Sequence, residues 1–354
     1  MKVLIIGCGS IGRRHALNAR QLGAEVVLCD INKKRLEEFA HEQQLTSYFL
    51  DYNEAIEKTK PEAAVIATPS NFHLQPAMDL ALGDIHIFME KPLSYSLEKI
   101  DDLEKAIKDH NITFMMAQSY RFHEGFIALK KMLDDELIGR IYHVEMAGGW
   151  YLPDWHFRED YRKEYAAQKA LGGGVLLTSM SHTFDTIRWL FGEIEDINGW
   201  KAKLSNLDID VEDYVSCNIK TSNDVYINVV DDFLSRLPRG EMRVFGTEGF
   251  ISTNFRENTI RYWKVSEKRF LPDDPRILDR GNDFIKVVED GIMYDPSLSV
   301  LNYNFENNRR YIEELKYFFQ MIEQGAKQFD LDISAGKKVL ELIFNKNINR
   351  TGIN

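Results

Sequence analysis

Three glycines near the amino terminus have the spacing of a phosphate-binding loop. The segment Gly7-Cys8-Gly9-Ser10-Ile11-Gly12 directly follows the short apolar run Lys2–Ile6 and opens a helical stretch. In such a loop one glycine makes the tight turn, the second lets the backbone approach a diphosphate, and the third lets helix and strand pack closely. The diphosphate rests on the N–H groups of the helix N-terminus. We therefore predict a dinucleotide site formed by Gly7, Cys8, Gly9, Ser10, Ile11 and Gly12.

A carboxylate stands where such a site needs one for the ribose. Asp30 follows the second apolar run, Glu25–Cys29, and lies 18 residues after Gly12. Its carboxylate can accept hydrogen bonds from the adenosine ribose hydroxyls, and it repels a 2′-phosphate, so we expect NAD. NADP is the alternative, because basic side chains that could offer countercharge lie nearby: Arg13, Lys33, Lys34 and Arg35. Lys33, Lys34 and Arg35 could also form a solvated helical turn. Of these three residues, Arg35 is predicted to belong to the cofactor site.

Two further polar segments directly follow predicted strands. Thr68-Pro69 with His73 comes after the run Ala63–Ala67, and Glu90-Lys91-Pro92 comes after His86–Met89. Ligands of open parallel sheets bind beyond the carboxyl ends of the strands. Both segments are therefore expected to face the dinucleotide cleft.

A parallel sheet is needed to bring these motifs together, and the first third of the chain predicts one. Short apolar runs, the last of them Thr113–Ala117, alternate with helical stretches such as Leu97/Ile100/Leu103/Ile107. Apolar strands separated by helices indicate a doubly wound α/β sheet that is buried on both faces. We expect a Rossmann dinucleotide-binding domain over residues 1–121.

The second part of the chain, residues 122–354, has a different pattern. A helix with Phe126, Leu129, Met132 and Leu133 precedes longer strands in which Val215/Cys217/Ile219 alternate with Ser216/Asn218/Lys220. Residues 266–300 are expected to be irregular, and two helices close the chain, with apolar stripes Ile312/Leu315/Phe319/Ile322 and Val339/Leu340/Ile343. Alternation of this kind predicts an α+β domain built on a large, mostly antiparallel open sheet, suited to substrate binding and oligomerisation.

Together these motifs resemble the Gfo/Idh/MocA family of NAD(P)-dependent oxidoreductases over essentially the whole chain. The matching pieces are Gly7–Gly12, Asp30, Thr68-Pro69 with His73, Glu90-Lys91-Pro92, Tyr120-Arg121-Phe122, and Gly172-Gly173-Gly174 leading to His182. The resemblance implies that Lys91 orients a substrate hydroxyl and that His182 is the general acid/base of hydride transfer. It also implies further cofactor-binding residues: Thr68, Pro69, His73, Glu90, Lys91 and Arg121.

The chemistry of a histidine agrees with this role. Oxidation of an alcohol needs a group that takes the hydroxyl proton, and the unperturbed pKa of histidine, near 6.5, suits that task at neutral pH. A neighbouring ammonium would stabilise the developing alkoxide. Many family members place Asp four residues before the histidine, where this chain has Thr178. Two groups are candidates to orient the His182 ring instead: the Thr178 hydroxyl and Asp185.

The substrate class follows from aromatic and basic side chains in the second domain. The segment from Trp150 to Arg162 mixes aromatic rings with hydrogen-bonding groups, which suits a sugar ring; a packed surface loop is the equal alternative. Arg236 ends another strand and could reach a carboxylate or phosphate. The predicted substrate-binding residues are Lys91, Tyr120, Trp155, His156, Tyr161, Thr178, His182 and Arg236. A sugar, sugar acid, polyol or nucleotide sugar would fit.

Composition excludes several other classes of protein. The chain has 354 residues with 44 Lys+Arg against 55 Asp+Glu, a net charge of −11, which disfavours nucleic acid and anionic membranes as partners. Three widely spaced cysteines signal neither a disulfide framework nor a zinc site, and no metal is expected. The first apolar run is too short for a secretory signal. We expect a cytoplasmic protein.

The leading hypothesis is an oxidoreductase that moves hydride between NAD(P) and a CH–OH carbon of a carbohydrate-type substrate. Two alternatives stay open: an NAD-dependent glycosidase that works through transient oxidation, and a non-catalytic NAD-binding regulator. We also expect a homodimer or homotetramer, because one face of the second sheet has few helices to cover it. The residues predicted to line that face are Trp200, Tyr226, Tyr262 and Trp263.

Overall fold

The first six strands of the chain form one parallel sheet. They are β1 (Lys2–Ile6), β2 (Glu25–Cys29), β3 (Tyr48–Phe49), β4 (Ala63–Ile66), β5 (His86–Met89) and β6 (Phe114–Met116). Their order is β3-β2-β1-β4-β5-β6, with every pairing parallel. The order reverses between β1 and β4, which is where such sheets bind dinucleotides. The predicted doubly wound fold is confirmed, although the two-residue strand β3 carries no sequence signal of its own.

Five helices connect these strands. They are α1 (Ser10–Gln21), α2 (Lys33–Glu42), α3 (Tyr52–Thr59), α4 (Leu74–Leu82) and α5 (Ile100–Asp109). The stripe predicted for the last of them is confirmed from Ile100 onward, since Ile100, Leu103 and Ile107 are buried. Leu97 lies before α5 and is 46% exposed, so it is not part of the stripe. The helix starts only after Lys99, whose φ of 61° is left-handed.

The computed structural model describes residues 1–155, 160–265, 292–293, 300–302 and 308–350. Its second sheet has ten strands: β7 (Ile141–Gly149), β8 (Ile194–Ala202), β9 (Tyr214–Thr221), β10 (Tyr226–Asp232), β11 (Arg239–Gly246), β12 (Gly249–Asn254), β13 (Thr259–Val265), β14 (Ile292–Met293), β15 (Val300–Asn302) and β16 (Ile348–Arg350). Apart from β14 and Val300, which are in strands, the predicted irregular stretch 266–300 lies outside the described residues.

The second sheet is mostly antiparallel, as predicted. Its order is β14-β13-β12-β11-β7-β10-β9-β8-β16, with β15 also paired to β13, and its parallel pairs are β7 with β10 and β8 with β16. The inner face is apolar and is covered by helices α6 (Glu124–Asp134), α7 (Val175–Thr178) and α8 (Met180–Phe191). The alternation is confirmed, because Val215, Cys217 and Ile219 are buried while Asn218 is exposed.

The opposite, open face of this sheet carries aromatic side chains. Trp200 is 51% exposed and Tyr226 is 57% exposed. Trp263 stacks on Phe250 with ring centres 5.1 Å apart, and Phe250 continues onto Phe245 at 4.9 Å. Tyr262 was expected here, but it packs against the inner core beside buried Ile260, since both residues share one face of β13. That single assignment to the open face is wrong.

Two helices follow the second sheet in sequence, and the first of them returns to the first sheet. Helix α9 (Arg309–Glu323) buries Leu315 and Phe318 in the core of the parallel sheet, where the Phe318 and Phe88 ring centres lie 5.6 Å apart. The buried face of α9 therefore differs from the predicted apolar stripe, because Phe318 is buried while Phe319 is only partly buried. Helix α10 (Ile333–Ile343) buries Val339, Leu340 and Ile343 as predicted. The domain division at residue 121 stays a prediction, and α9 packs across it.

A carboxyl group is buried on α9. Glu314 is 0% exposed, and neither of its carboxyl oxygens makes a hydrogen bond of normal geometry with the described residues. Burial, reinforced by the negative charge of Glu90, raises the pKa of Glu314 well above its usual 4.5. The folded protein therefore holds a proton that the unfolded chain loses above about pH 4.5.

We predict that Glu314→Gln gains stability relative to the wild type as pH rises. The wild-type proton bound on folding contributes fully below the unfolded pKa and is lost as pH rises toward the folded pKa, whereas glutamine does not titrate. Urea unfolding at pH 5 and pH 8 measures the difference. Glu313→Gln, on the partly exposed neighbour that pairs with Lys316, should show no such trend. A Glu314→Gln difference that is independent of pH would contradict this assignment.

Candidate active site

The glycine loop has the geometry that a diphosphate requires. Gly7 has φ +98°, and a Cβ there would lie 2.7 Å from the Ala67 carbonyl oxygen; a Cβ on Gly12 would lie 1.8 Å from the Gly7 oxygen. These two glycines are needed for contact between strand and helix. A Cβ on Gly9 would meet nothing within 4 Å, and no side chain caps the N-terminus of α1. Gly9 and the start of α1 therefore face open space, which fits a dinucleotide diphosphate.

Asp30 is held directly beneath this loop. It is 6% exposed, and its carboxylate accepts hydrogen bonds from the backbone N–H groups of Cys8 and Asn32, each at 2.7 Å. Arg35 Nη1 lies 3.5 Å from Asp30 Oδ2. The structure thus brings Asp30 and Arg35 to the loop, as the sequence predicts for a cofactor site, and their contacts with NAD stay predictions.

The other basic side chains near Asp30 have different partners. Arg13 donates to the backbone oxygens of Cys8 and Arg35. Lys33 and Lys34 lie 3.8 and 3.9 Å from Glu37 and Glu38, respectively, one helical turn later. Such exposed pairs are typical of a solvated helix face. Of the basic residues that could serve a 2′-phosphate, Arg13 and Arg35 are therefore the two at the loop.

His73 joins the two polar segments that follow β4 and β5. Its ring nitrogens lie 2.8 Å from the Thr68 oxygen and 2.9 Å from the Pro92 oxygen. Burial lowers the pKa of His73, so the ring is neutral and donates to one of these oxygens at a time. The predicted cofactor residue His73 thus contacts backbone of the cleft, and it fixes the positions of Thr68-Pro69 and of the Lys91 segment.

Glu90 and Lys91 point to different partners. Glu90 Oε1 lies 2.7 Å from Nε2 of buried His15 on α1. Lys91 Nζ donates to the backbone oxygen of Thr178 at 2.8 Å. Burial lowers the pKa of Lys91, against the opposing effect of the Glu90 charge. Lys91 therefore reaches from the edge of the first sheet to the helices of the second domain.

His182 lies at this junction, in the first turn of α8. Its ring stacks on the Tyr120 ring with centres 4.5 Å apart, and its Nδ1 is buried with no hydrogen-bond partner among the described residues. Burial, together with the positive charges of Lys91 and Arg310, holds the pKa of His182 well below 6.5. The imidazole is therefore neutral at physiological pH and able to accept a proton.

Neither predicted orienting contact to His182 forms. The Thr178 hydroxyl donates to the Gly174 oxygen at 2.7 Å, as threonine often does one turn back in a helix. Asp185 accepts two hydrogen bonds from Arg121, at 2.7 and 2.8 Å. Both groups are thus occupied elsewhere, and Arg121, predicted to bind the cofactor, uses two of its nitrogens for Asp185.

The predicted substrate residues of the second domain contact other parts of that domain. Trp155 donates to the Trp150 oxygen at 3.3 Å, and the Tyr161 hydroxyl accepts from the Asp208 N–H at 3.2 Å. Arg236 lies over the Tyr151 ring. His156 lies outside the described residues. Tyr120 and Thr178, by contrast, contact His182 and Lys91. Substrate contacts of all these residues stay predictions.

Two residues at the site carry no sequence signal. Arg310 on α9 lies 5.6 Å from the centre of the Tyr120 ring. Asp231 on β10 accepts a hydrogen bond from the Ser179 hydroxyl at 2.6 Å, and burial raises the pKa of Asp231 to about 6. Both come from distant parts of the chain, so only the fold could place them here.

The described ranges carry neither a metal-binding cluster nor a membrane-spanning helix. These residues contain no group of three or more His, Cys, Asp or Glu side chains that could hold a metal ion. None of their helices combines the length and apolar composition needed to cross a bilayer. The glycine loop and Asp30 define the class of the protein, a dinucleotide-binding protein, and Lys91 and His182 lie at the junction beside its cleft.

Family models identify the chain more closely. The model described as "Oxidoreductase family, NAD-binding Rossmann fold" matches residues 1–118, and the model described as "GFO/IDH/MocA C-terminal domain" matches residues 126–252. The chain belongs to the Gfo/Idh/MocA family, and it is an oxidoreductase with an NAD-binding Rossmann domain. The predicted family, fold class and cofactor are confirmed.

Individual relatives are similar at low identity. A levoglucosan dehydrogenase from Pseudarthrobacter phenanthrenivorans is 29% identical over 209 residues, which are 56% of this chain and 53% of that protein, so the match spans about half its length. A myo-inositol 2-dehydrogenase from Thermotoga maritima is 25% identical over 92% of this chain and 89% of its own. The solved structure of a levoglucosan dehydrogenase in complex with NADH superposes with a TM-score of 0.78, at 23% identity, covering 97% of this chain and 95% of the other.

An added methyl group should have different effects at Gly12, which contacts backbone, and at Gly9, which faces open space. Gly12→Ala should destabilise the protein by about 3 kcal/mol, because its Cβ would overlap the Gly7 oxygen. Gly9→Ala should leave stability within about 0.5 kcal/mol but weaken NAD binding about tenfold or more, because the methyl group projects into the space left for the diphosphate. Urea unfolding and NAD titration separate these effects. Equal losses of stability in both variants would contradict the loop geometry.

Proposed function

We propose that this protein is an NAD-dependent dehydrogenase that acts on a CH–OH carbon of a carbohydrate-type substrate. The observation that carries the proposal is the Lys91–Thr178 hydrogen bond at 2.8 Å. It brings a partly buried cation into the neighbourhood of the His182 ring at the edge of the dinucleotide-binding sheet. When bound, NAD supplies the acceptor or donor of the hydride. An acid/base residue and a cation are the two protein groups that alcohol oxidation needs beside it.

Lys91 and His182 have distinct tasks in this proposal. Lys91 uses one N–H for the Thr178 oxygen and keeps others to donate to the substrate hydroxyl, whose developing negative charge the ammonium stabilises. His182 accepts the hydroxyl proton during oxidation and returns it during reduction. Its low pKa keeps the ring unprotonated before the reaction. Tyr120, stacked on the ring at 4.5 Å, holds its plane in place.

The named relatives support the substrate class. Levoglucosan and myo-inositol dehydrogenases act on an anhydrosugar and a cyclic polyol, both rich in secondary hydroxyls. We assign the substrate of this chain to the same broad class: a sugar, sugar acid, polyol or nucleotide sugar. The segment with Trp155, His156 and Tyr161, together with Arg236, is proposed to contact it. We place the protein in the cytoplasm, in keeping with three free, buried cysteines.

Redox stoichiometry separates this proposal from the two alternatives. Screening sugars, uronates and nucleotide sugars for NADH absorbance should yield a substrate whose oxidation matches the NADH formed. A glycosidase working through transient oxidation would release product without net NADH, and a regulator would bind NAD without turnover. Either result would contradict the proposal.

His182→Asn should lower kcat by about 10²–10⁴ while NAD affinity stays within a few-fold. The reason is that the variant lacks the proton acceptor, whereas the diphosphate rests on the Gly7–Gly12 loop. His41→Asn, at an exposed histidine in the last turn of α2, is the matched control and should retain full activity. A His182→Asn enzyme with more than about a tenth of wild-type kcat would remove His182 from the acid/base role.

The pH profile of oxidation should be bell-shaped with a broad plateau. Because the pKa of His182 lies well below 6.5, kcat/KM should rise along an acid limb below that pH and be flat at neutrality. An alkaline fall should begin below pH 10.5, since burial lowers the pKa of Lys91 and its positive charge is lost early. Initial rates from pH 4 to pH 10 measure both limbs. An acid limb centred near pH 7 would contradict the lowered pKa of His182.

We further propose that the open face of the second sheet joins copies of the chain into a dimer or tetramer. Light scattering at micromolar concentration should give two or four times the chain mass of 41.1 kDa. Trp200→Arg should shift the mass toward the monomer, because Trp200 is 51% exposed on that face. Leu82→Arg, at the end of α4 and 56% exposed, should not. A wild-type mass near 41 kDa would exclude the assembly.

A further inference from the structure

Two arginines near the proposed site are stacked on aromatic rings. The guanidinium carbon of Arg256 lies 4.8 Å from the centre of the Trp150 ring, and that of Arg236 lies 3.5 Å from the centre of the Tyr151 ring. Trp150 and Tyr151 are the two residues after β7, so both stacks lie at the end of this strand. A guanidinium stacked by its face keeps the N–H groups of its edge available for a ligand.

These arginines and His182 lie at the same edge of the second sheet. The parallel strands β7 and β10 both end there, and Trp150 and Tyr151 donate their N–H groups to the oxygens of Asp232 and Ser235, at 3.0 and 2.8 Å. Asp231, the preceding residue of β10, accepts from the Ser179 hydroxyl at 2.6 Å. Ser179 is the first residue before α8, the helix of His182.

A column of rings links Arg256 to the histidine. Phe255, its neighbour in sequence, stacks on Phe126 at 3.9 Å; Phe126 stacks on Tyr120 at 5.0 Å; and Tyr120 stacks on His182 at 4.5 Å. Arg256 therefore stands at one end of the column and His182 at the other.

Within the part of the chain that the structure describes, no carboxylate neutralises either arginine. Among the described residues, Arg236 and Arg256 form no ion pair with a carboxylate, whereas neighbouring Arg239 lies 3.8 Å from Asp232. Both unpaired side chains are exposed. In a chain of net charge −11, carboxylates are plentiful, so two cations at the end of one strand without such a partner favour the binding of an anion there.

We propose that Arg236 and Arg256 bind an anionic oxygen group of the substrate, a carboxylate or a phosphate. The substrate is then a sugar acid or a phosphorylated sugar, nucleotide sugars included, rather than a neutral sugar or polyol. This inference rests on the proposed function for the placement of the substrate hydroxyl at His182. The binding of the anion itself requires only the two arginines.

Calorimetry on the NADH-loaded protein tests the inference without relying on turnover. The ligands are glucuronate, glucose 6-phosphate and UDP-glucuronate, with glucose and myo-inositol as neutral counterparts. At least one anion should bind about tenfold or more tightly than the neutral sugars, and the pattern among the three separates carboxylate from phosphate recognition. Equal binding of glucose, or no binding of any anion, would overturn the inference.

Variants assign the effect to the two arginines. Arg236→Gln and Arg256→Gln should each weaken binding of the preferred anion about 10- to 100-fold, the size expected for losing hydrogen bonds to a charged group. Arg256→Lys keeps the charge without the planar fork and should recover part of the loss. Arg243→Gln, at an exposed residue of the open face that pairs with Glu145, should change nothing. Anion binding unaffected by the Arg236 and Arg256 variants would contradict the proposal.

The two proposals can fail separately. Binding of an anion through the arginines, with no oxidation of any ligand tested, would contradict the proposed function and leave the anion site standing. Oxidation of neutral polyols at rates unaffected by Arg236→Gln and Arg256→Gln would support the dehydrogenase and overturn the anion site.

Discussion

The hydrogen bond from Lys91 to the Thr178 oxygen ties the two sheets together at the point where chemistry would occur. Lys91 belongs to the loop after β5, and Thr178 ends the short helix before α8, so one contact of 2.8 Å sets the distance between the edge of the Rossmann sheet and the helix of His182. The positions of Tyr120 and Asp231 follow from it, because they contact the His182 ring and Ser179. A shift of this junction would move His182 away from the edge of the Rossmann sheet.

Three carboxyl groups near the site are each stabilised in a different way. Glu90 pairs with His15, Asp185 is held by Arg121, and Glu314 is kept protonated by burial. None of the three is therefore committed to Lys91 or His182 by a hydrogen bond in the described structure. Burial, together with the positive charges of Lys91 and Arg310, therefore holds the pKa of His182 well below 6.5. Electrostatic arrangement of this kind, fixed before substrate binds, is a large part of enzymatic rate enhancement.

The sequence pattern predicted those features of the fold and site that depend on residues close together in the chain. The glycine loop, Asp30 and the apolar strands lie in continuous segments, and alternation identified the second sheet. Residues placed by long-range packing escaped prediction: Arg310 and Glu314 reach the site because α9 returns to the first sheet. Thr178 and Tyr262 show a finer limit. Spacing in the sequence predicts on which face of a helix or strand a side chain lies, but it does not predict the partner of that side chain. The Thr178 hydroxyl donates to the Gly174 oxygen, and Tyr262 lies on the packed side of β13.

The threonine at position 178 changes the electrostatics of the site without breaking its architecture. Lys91 is held by the backbone oxygen of residue 178, an acceptor that every amino acid supplies, so an aspartate is not needed to position the lysine. A neutral acceptor adds no negative charge beside the ammonium, however, which favours neutral His182 and strengthens the attraction of Lys91 for an alkoxide. The departure from the family's usual aspartate therefore gives a more electropositive site. An anionic substrate held by Arg236 and Arg256 would complement that charge, since it brings to the cleft the negative charge that residue 178 lacks.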